Sequence, residues 1–341
     1  MTRRFYAPSQ YHMNLMERTA REFAWRGQDF ETWQDGLRER LRELIGVMPE
    51  KKTPLDVQEL EKEEAEDHVR IKLVFRAEEA ADVPAQLLVP RGVDGPVPAM
   101  ICLQGHSPGM HISLGVARDE HEEELVAGDR DYALQAVRQG FVALAVEQRC
   151  FGERAETELD LRWEHTCVDA VVHSLMMGKT LIGERVWDVM RALDLLEELP
   201  EVDPERMMCM GNSGGGTVTF YAACLDPRIR LAVPSCCYCT YAASIMRIKH
   251  CPDNCIPGIL RVAEMGEVAG LIAPRGLVLV AAEEDPIFPL HGIKEAFETT
   301  RQIFTAAGCP DHARLVVGPA GHRFYANLAW PVIKRTLAEL S

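Results

Sequence analysis

Apolar residues along the chain follow two different spacings, and the places where one gives way to the other predict the architecture. Val69, Ile71 and Leu73 alternate with polar residues, the period of two expected of a half-exposed strand. The segment 83–89 follows after a short polar turn and completes a hairpin, before Pro90, Gly92, Gly95 and Pro96 break the chain. Beyond the break lie short, nearly continuous apolar runs at 99–103, 141–146, 207–210, 230–233, 277–281 and 314–317. Segments of helical character separate or follow them, at 129–139, 180–199, 214–224, 291–307 and 326–340. Apolar strands alternating with helices predict an α/β fold with a mostly parallel sheet covered on both faces. Counting the hairpin, the sheet has eight strands.

The N-terminal part has the other period. Phe30, Trp33, Leu37, Leu41, Leu44 and Ile45 recur mostly at intervals of three and four, which places them on one helix face, and Gly46 is a natural stop. Residues 1–67 therefore read as a helical extension ending in a charged linker, 51–67, and residues 68–341 as the main domain. The apolar helix face predicts packing on that domain, with a wall or lid of a substrate pocket as the functional alternative.

Composition narrows the function. Of 341 residues 47% are hydrophobic and 26% charged, enough for a large core and unlike a disordered chain. The net charge of −15 argues against binding nucleic acid, which runs on clustered Lys and Arg, and mildly favours neutral substrates. No apolar run reaches the ~18 residues of a membrane span, and residues 1–11 lack the apolar core of a secretory signal. Eleven cysteines, an odd number with several in predicted core elements (Cys102, Cys209, Cys224), suit buried thiols in a cytoplasmic protein better than a disulfide framework. Self-association as a homo-oligomer is left open.

In a parallel sheet the ligand sits beyond the C-terminal strand ends, so the chemistry is sought there. The segment from Met207 to Gly216 runs from a strand through Gly211-Asn212-Ser213-Gly214-Gly215 into a helix, matching the G-x-S-x-G turn that exposes a nucleophilic serine. A serine hydroxyl needs a base, and the base an orienting acid. Both follow later strands: Asp285, preferred over Glu283 and Glu284 because Pro286 fixes a turn, and His322 after Gly318-Pro319-Ala320-Gly321. The backbone N–H of Gly214 and that of His106, in the loop Gln104-Gly105-His106, are the candidate oxyanion donors.

These loops and their order resemble the α/β-hydrolase superfamily, specifically its acetyl xylan esterase-like and dienelactone hydrolase-like branches, from about Val69 onward. Two further segments resemble those relatives and read as structural: 147–154, similar to a turn after the fourth strand, and 186–194, similar to the helix before the elbow. The chain departs from acetyl xylan esterases in having Gly-Asn-Ser-Gly-Gly-Gly at the elbow and His106 where a tyrosine is usual, and from dienelactone hydrolases in having serine as nucleophile. The resemblance implies the α/β-hydrolase fold and a serine esterase, a carboxylesterase acting on a small-molecule ester without a cofactor. Hydrolysis of a carbon–carbon or amide bond by the same triad, and a non-catalytic binding protein on the same scaffold, are the alternatives.

A cysteine-rich insert, about 236–270, is the odd feature. Cys236, Cys237 and Cys239 precede His250, Cys251 and Cys255. Such density invites zinc, but the spacing matches no common paired motif and Ser-His chemistry requires no metal. The expectation is a small cap, roofing the pocket together with the N-terminal helices, with Tyr238, Tyr241, Met246 and Ile256 as substrate-binding walls and no metal.

Overall fold

The structure, a computed structural model, describes residues 6–156 and 166–340. Nine strands form one sheet: β1 (Gln58–Glu64), β2 (His68–Glu78), β3 (Ala81–Pro90), β4 (Val97–Leu103), β5 (Val142–Val146), β6 (Val202–Asn212), β7 (Leu231–Ser235), β8 (Gly276–Ala282) and β9 (Ala313–Gly318). Their order is β1-β2-β3-β5-β4-β6-β7-β8-β9. The first three pairings are antiparallel and the rest parallel. The six apolar runs and the hairpin all become strands. The ninth, β1, lies in the segment expected to be a charged linker.

Ten helices complete the chain: α1 (Pro8–Arg18), α2 (Phe30–Ile45), α3 (Glu120–Leu125), α4 (Tyr132–Arg138), α5 (Thr166–Met176), α6 (Leu181–Glu197), α7 (Gly214–Leu225), α8 (Met265–Ala269), α9 (Leu290–Ala306) and α10 (Ala326–Glu339) among the described residues. Successive residues of β4 show why both faces need cover. Ala99, Ile101 and Leu103 enter one apolar cluster with residues of α2, α6, α7 and α9, while Met100 and Cys102 enter a second with residues of α4 and α10. Trp33, Leu37, Leu41 and Ile45 of α2 are buried in the first cluster. The helix begins where Asp29 accepts a hydrogen bond from the Thr32 N–H and ends at Gly46, φ 104°.

The two segments read as structural meet each other. Arg149 grips Asp188 through Nε (3.0 Å) and Nη2 (2.9 Å), and Arg154 adds a bond from Nη1 at 2.7 Å. Asp188 is 2% exposed, and these cations hold its carboxyl below the usual range although burial works to raise it. The network fastens the loop after β5 to α6. No described helix is long and apolar enough to cross a membrane.

Candidate active site

Ser213 stands between β6 and α7 with φ 56° and ψ −124°, a backbone conformation that side chains rarely adopt. The strand and helix that flank it approach too closely for any side chain at the neighbouring glycines. A Cβ on Gly211 would lie 2.5 Å from the Gly215 carbonyl, and one on Gly215 would lie 2.3 Å from the Leu103 carbonyl oxygen. The turn is pinned by the Ser213 N–H, which donates to the Ser235 carbonyl at 2.8 Å. Beneath it, the Ser235 hydroxyl donates to Oδ1 of the fully buried Asn212 at 2.9 Å.

Asp285 and His322 come together from the ends of β8 and β9. Nδ1 of His322 lies 2.7 Å from Oδ2 of Asp285, while Oδ1 of Asp285 accepts from the N–H groups of Ile287 (2.8 Å) and Phe288 (3.1 Å). Burial works to raise the Asp285 pKa, but the bond and charge of His322 together with the N–H groups of Ile287 and Phe288 outweigh it and hold the carboxyl below its ordinary value. The neighbouring Glu283 and Glu284 are exposed. His322 and Ser213 line one cavity of about 290 Å³, together with His106 and Gly214.

The loop carrying His106 presses on the elbow. A Cβ on Gly105 would come 3.0 Å from that of Ser213, and one on Gly214 would come 3.9 Å from the His106 backbone nitrogen. Gly214 opens α7, where N–H groups have no partner inside the helix. The His106 imidazole lies over Gly214, where Nδ1 and Cε1 stand 3.0 Å from the position a Cβ would take, and its Nε2 reaches Oδ2 of Asp253 at 3.0 Å. Burial opposes charge on this imidazole, yet Asp253 and Cys167 together prevail and lift its pKa to about 9.

Glu147 braces the same loop from below, its Oε1 accepting from Gln104 Nε2 (2.6 Å) and from the Met110 N–H (3.0 Å). Burial pushes the Glu147 pKa up to about 7, against these hydrogen bonds and that from the Glu153 N–H. The folded value exceeds the unfolded one, so the stabilisation linked to the neutral form is full below the unfolded pKa and lost as pH rises through about 7. Urea denaturation at pH 5 and pH 8 is expected to show the wild type losing about 2–3 kcal/mol more than Glu147→Gln over that interval. Identical losses in the two proteins would refute this.

The four expected substrate walls lie elsewhere. Tyr238 and Tyr241 are buried in the core, their hydroxyls paired with Thr300 (2.7 Å) and Tyr221 (2.6 Å). Ile256 is buried in the same cluster, Met246 is half-buried, and none of the four lines the Ser213 cavity or the larger one beside it. An aromatic side chain with a satisfied hydroxyl is at least as good a core filler as a pocket wall. The insert does reach the cavity, but through Lys249, His250, Cys251 and Asn254. The N-terminal helices contribute nothing to either lining, so they do not roof these cavities; α2 instead packs against the core.

Several neighbours of the site were not legible in sequence. Arg130 Nη2 donates to the His322 carbonyl at 2.9 Å. The Tyr325 hydroxyl donates to the Gly321 carbonyl (2.7 Å) and accepts from the Ala320 N–H (3.1 Å), bracing the loop that presents His322. Phe288 stacks on the imidazole, with ring centroids 6.1 Å apart. Burial depresses the pKa of His250 at the cavity rim, and Lys249 and Arg130 add cationic side chains to the lining, in a chain whose net charge is −15.

The chain is 25% identical over 296 residues to the "Putative hydrolase YtaP" of Bacillus subtilis (strain 168), which covers 84% of this chain and 92% of that protein. The crystal structure of a "putative acetyl xylan esterase" from Bacteroides fragilis superposes with a TM-score of 0.78 at 18% identity, covering 96% of this chain and 84% of that one. A glucuronoyl esterase from Solibacter usitatus superposes with a TM-score of 0.67 at 14% identity, covering 94% and 95%. At these identities the structural likenesses show the fold, that of the α/β-hydrolases. Residues 12–314, most of the chain, match the Abhydrolase family, and the protein belongs to it.

Proposed function

We propose that the protein is a serine esterase that cleaves a carboxylic ester through an acyl-enzyme on Ser213. The observation that carries this reading is the 2.7 Å bond between His322 and the buried Asp285, formed at the rim of the cavity that also holds Ser213. Asp285 keeps the proton of His322 on Nδ1, which leaves Nε2 free to take the Ser213 proton. As that proton leaves, Ser213 Oγ attacks the ester carbonyl, and the N–H groups of His106 and Gly214 receive the negative charge on the carbonyl oxygen. The imidazolium then protonates the departing alcohol. Water, deprotonated by His322, attacks the acyl-serine; collapse frees the acid and returns the proton to Ser213.

The structural relatives named above act, by their names, on acetylated xylan and on glucuronoyl esters. Both are carboxylic esters of carbohydrates, which supports that substrate class here. The space beside Ser213 fits it: a second cavity of about 780 Å³ shares His106, Lys249, His250 and Cys251 with the first and has room for a sugar alcohol.

A fluorophosphonate probe tests the nucleophile. After digestion, mass spectrometry is expected to find the adduct on the peptide carrying Ser213, with labelling blocked by prior incubation with an acetylated sugar. Labelling of another serine, or none in a preparation that hydrolyses esters, refutes the assignment. A panel of acetyl, glucuronoyl and aryl esters, amides and diketones separates the ester reading from amide and carbon–carbon bond hydrolysis.

A further inference from the structure

Four side chains from three segments converge on one wall of the larger cavity. Nε2 of His106 comes from the loop after β4, Sγ of Cys167 from the first turn of α5, and Sγ of Cys251 and a carboxylate oxygen of Asp253 from the insert. The four ligand atoms lie within 4.8 Å of one another. Asp253 is 3% exposed and Cys167 2% exposed, while Cys251 and His106 face the cavity.

We propose that these four residues bind one zinc ion, which fastens the insert to the loop that carries His106. The donor set is the first argument. Two thiolates, an imidazole and a carboxylate in a compact group suit a borderline-soft, tetrahedral divalent cation such as zinc. The spacing is the second. Zinc bonds of about 2.0–2.3 Å put tetrahedral ligand atoms roughly 3.3–3.8 Å apart. The bound on all six separations here is 4.8 Å, and His106 Nε2 to Asp253 Oδ2 is 3.0 Å, so shifts of about an ångström close the shell.

The surroundings are the third argument. Arg185, buried, donates from Nη1 to Asp253 Oδ2 (2.6 Å) and from Nη2 to Cys167 Sγ (3.4 Å), and it is anchored by the Arg149 carbonyl (2.8 Å). The other Asp253 oxygen accepts from Asn254 Nδ2 at 2.9 Å. Outer partners of this kind orient metal ligands. Two thiolates and one carboxylate carry three negative charges, which one divalent ion and the Arg185 guanidinium neutralise. With four protein ligands the shell is closed, as in structural rather than catalytic zinc sites. Its role is to set the position of the His106 backbone beside Ser213, and its existence does not depend on the esterase reading.

The experiment uses the full chain without a polyhistidine tag, stripped of metal under reducing conditions and titrated with zinc. One equivalent is expected to bind and to raise the melting temperature. Cys251→Ser and Cys167→Ser should each weaken binding by more than about 100-fold, beyond the loss typical of an outer partner. Cys309→Ser, remote from the cluster in the loop after α9, should bind as the wild type does. Zinc-edge X-ray absorption of the wild type provides a readout that survives a misfolded variant, and two sulfur and two nitrogen or oxygen neighbours are expected. Less than a tenth of an equivalent bound, undiminished binding by folded Cys251→Ser, or a different set of neighbours overturns the proposal.

Discussion

Ser213→Ala is expected to lower kcat for ester hydrolysis by about 10⁶-fold, with KM much less affected. The alanine keeps the Cβ and therefore the strained backbone at φ 56°, so the fold should be retained while the attacking oxygen is lost. Ser213→Gly separates the two properties further. Glycine occupies that conformation without penalty, and the variant should be about 1–3 kcal/mol more stable than Ser213→Ala and equally inactive. Initial rates with a short p-nitrophenyl ester and thermal unfolding of the three proteins measure both effects. Undiminished hydrolysis by purified Ser213→Ala would remove the serine from the mechanism. A Ser213→Gly protein no more stable than Ser213→Ala would remove the strain.

Asp285→Asn is expected to cost about 10⁴-fold in kcat through the tautomer of His322 alone. An asparagine fills the same space but presents an amide that can donate where the carboxylate accepts, so the proton on Nδ1 loses its partner and Nε2 ceases to be a ready base. The variant also tests the acid limb of stability. The native carboxyl ionises more readily than its unfolded counterpart, so its contribution is present above the unfolded value of 3.8 and disappears as pH falls through the native one. Asp285→Asn should therefore lose less stability on acidification than the wild type. Activity within tenfold of wild type would show that His322 takes its orientation from elsewhere.

The parallel strands were legible because burial on both faces writes them as apolar runs: β4, β5 and β8 contain almost nothing else. Strand β1 was not, since Gln58–Glu64 is exposed at every position and is a strand only because its backbone pairs with β2. The elbow was readable for a steric reason, the Cβ clashes at Gly211 and Gly215 that no other residue escapes. The order of elements then placed Asp285 and His322. Arg130 and Tyr325 brace His322 through its backbone and its loop, by contacts that leave no pattern in composition or spacing. Tyr238 and Tyr241 misled for the opposite reason: a tyrosine near a strand end looks alike whether its hydroxyl faces substrate or Thr300. The cluster around Asp253 escaped a search for paired cysteine motifs because His106 and Cys167 lie far from the insert in sequence.

The outer rim of the sheet at β1 has a bearing on how the protein behaves when concentrated. A free strand edge offers unpaired N–H and C=O groups that invite another chain to add itself, the first step toward fibrils. Here Glu59, Glu61, Lys62, Glu63 and Glu64 crowd that border, with side chains on both sides of the strand. Glu63 and Glu64 pair with Arg70 and Arg91, so in two copies meeting rim to rim, at about 4.8 Å between backbones, the repulsion opposing the contact comes chiefly from Glu59 and Glu61. Replacing those glutamates with threonine or valine would leave the catalytic machinery untouched and turn the border into a seed for aggregation.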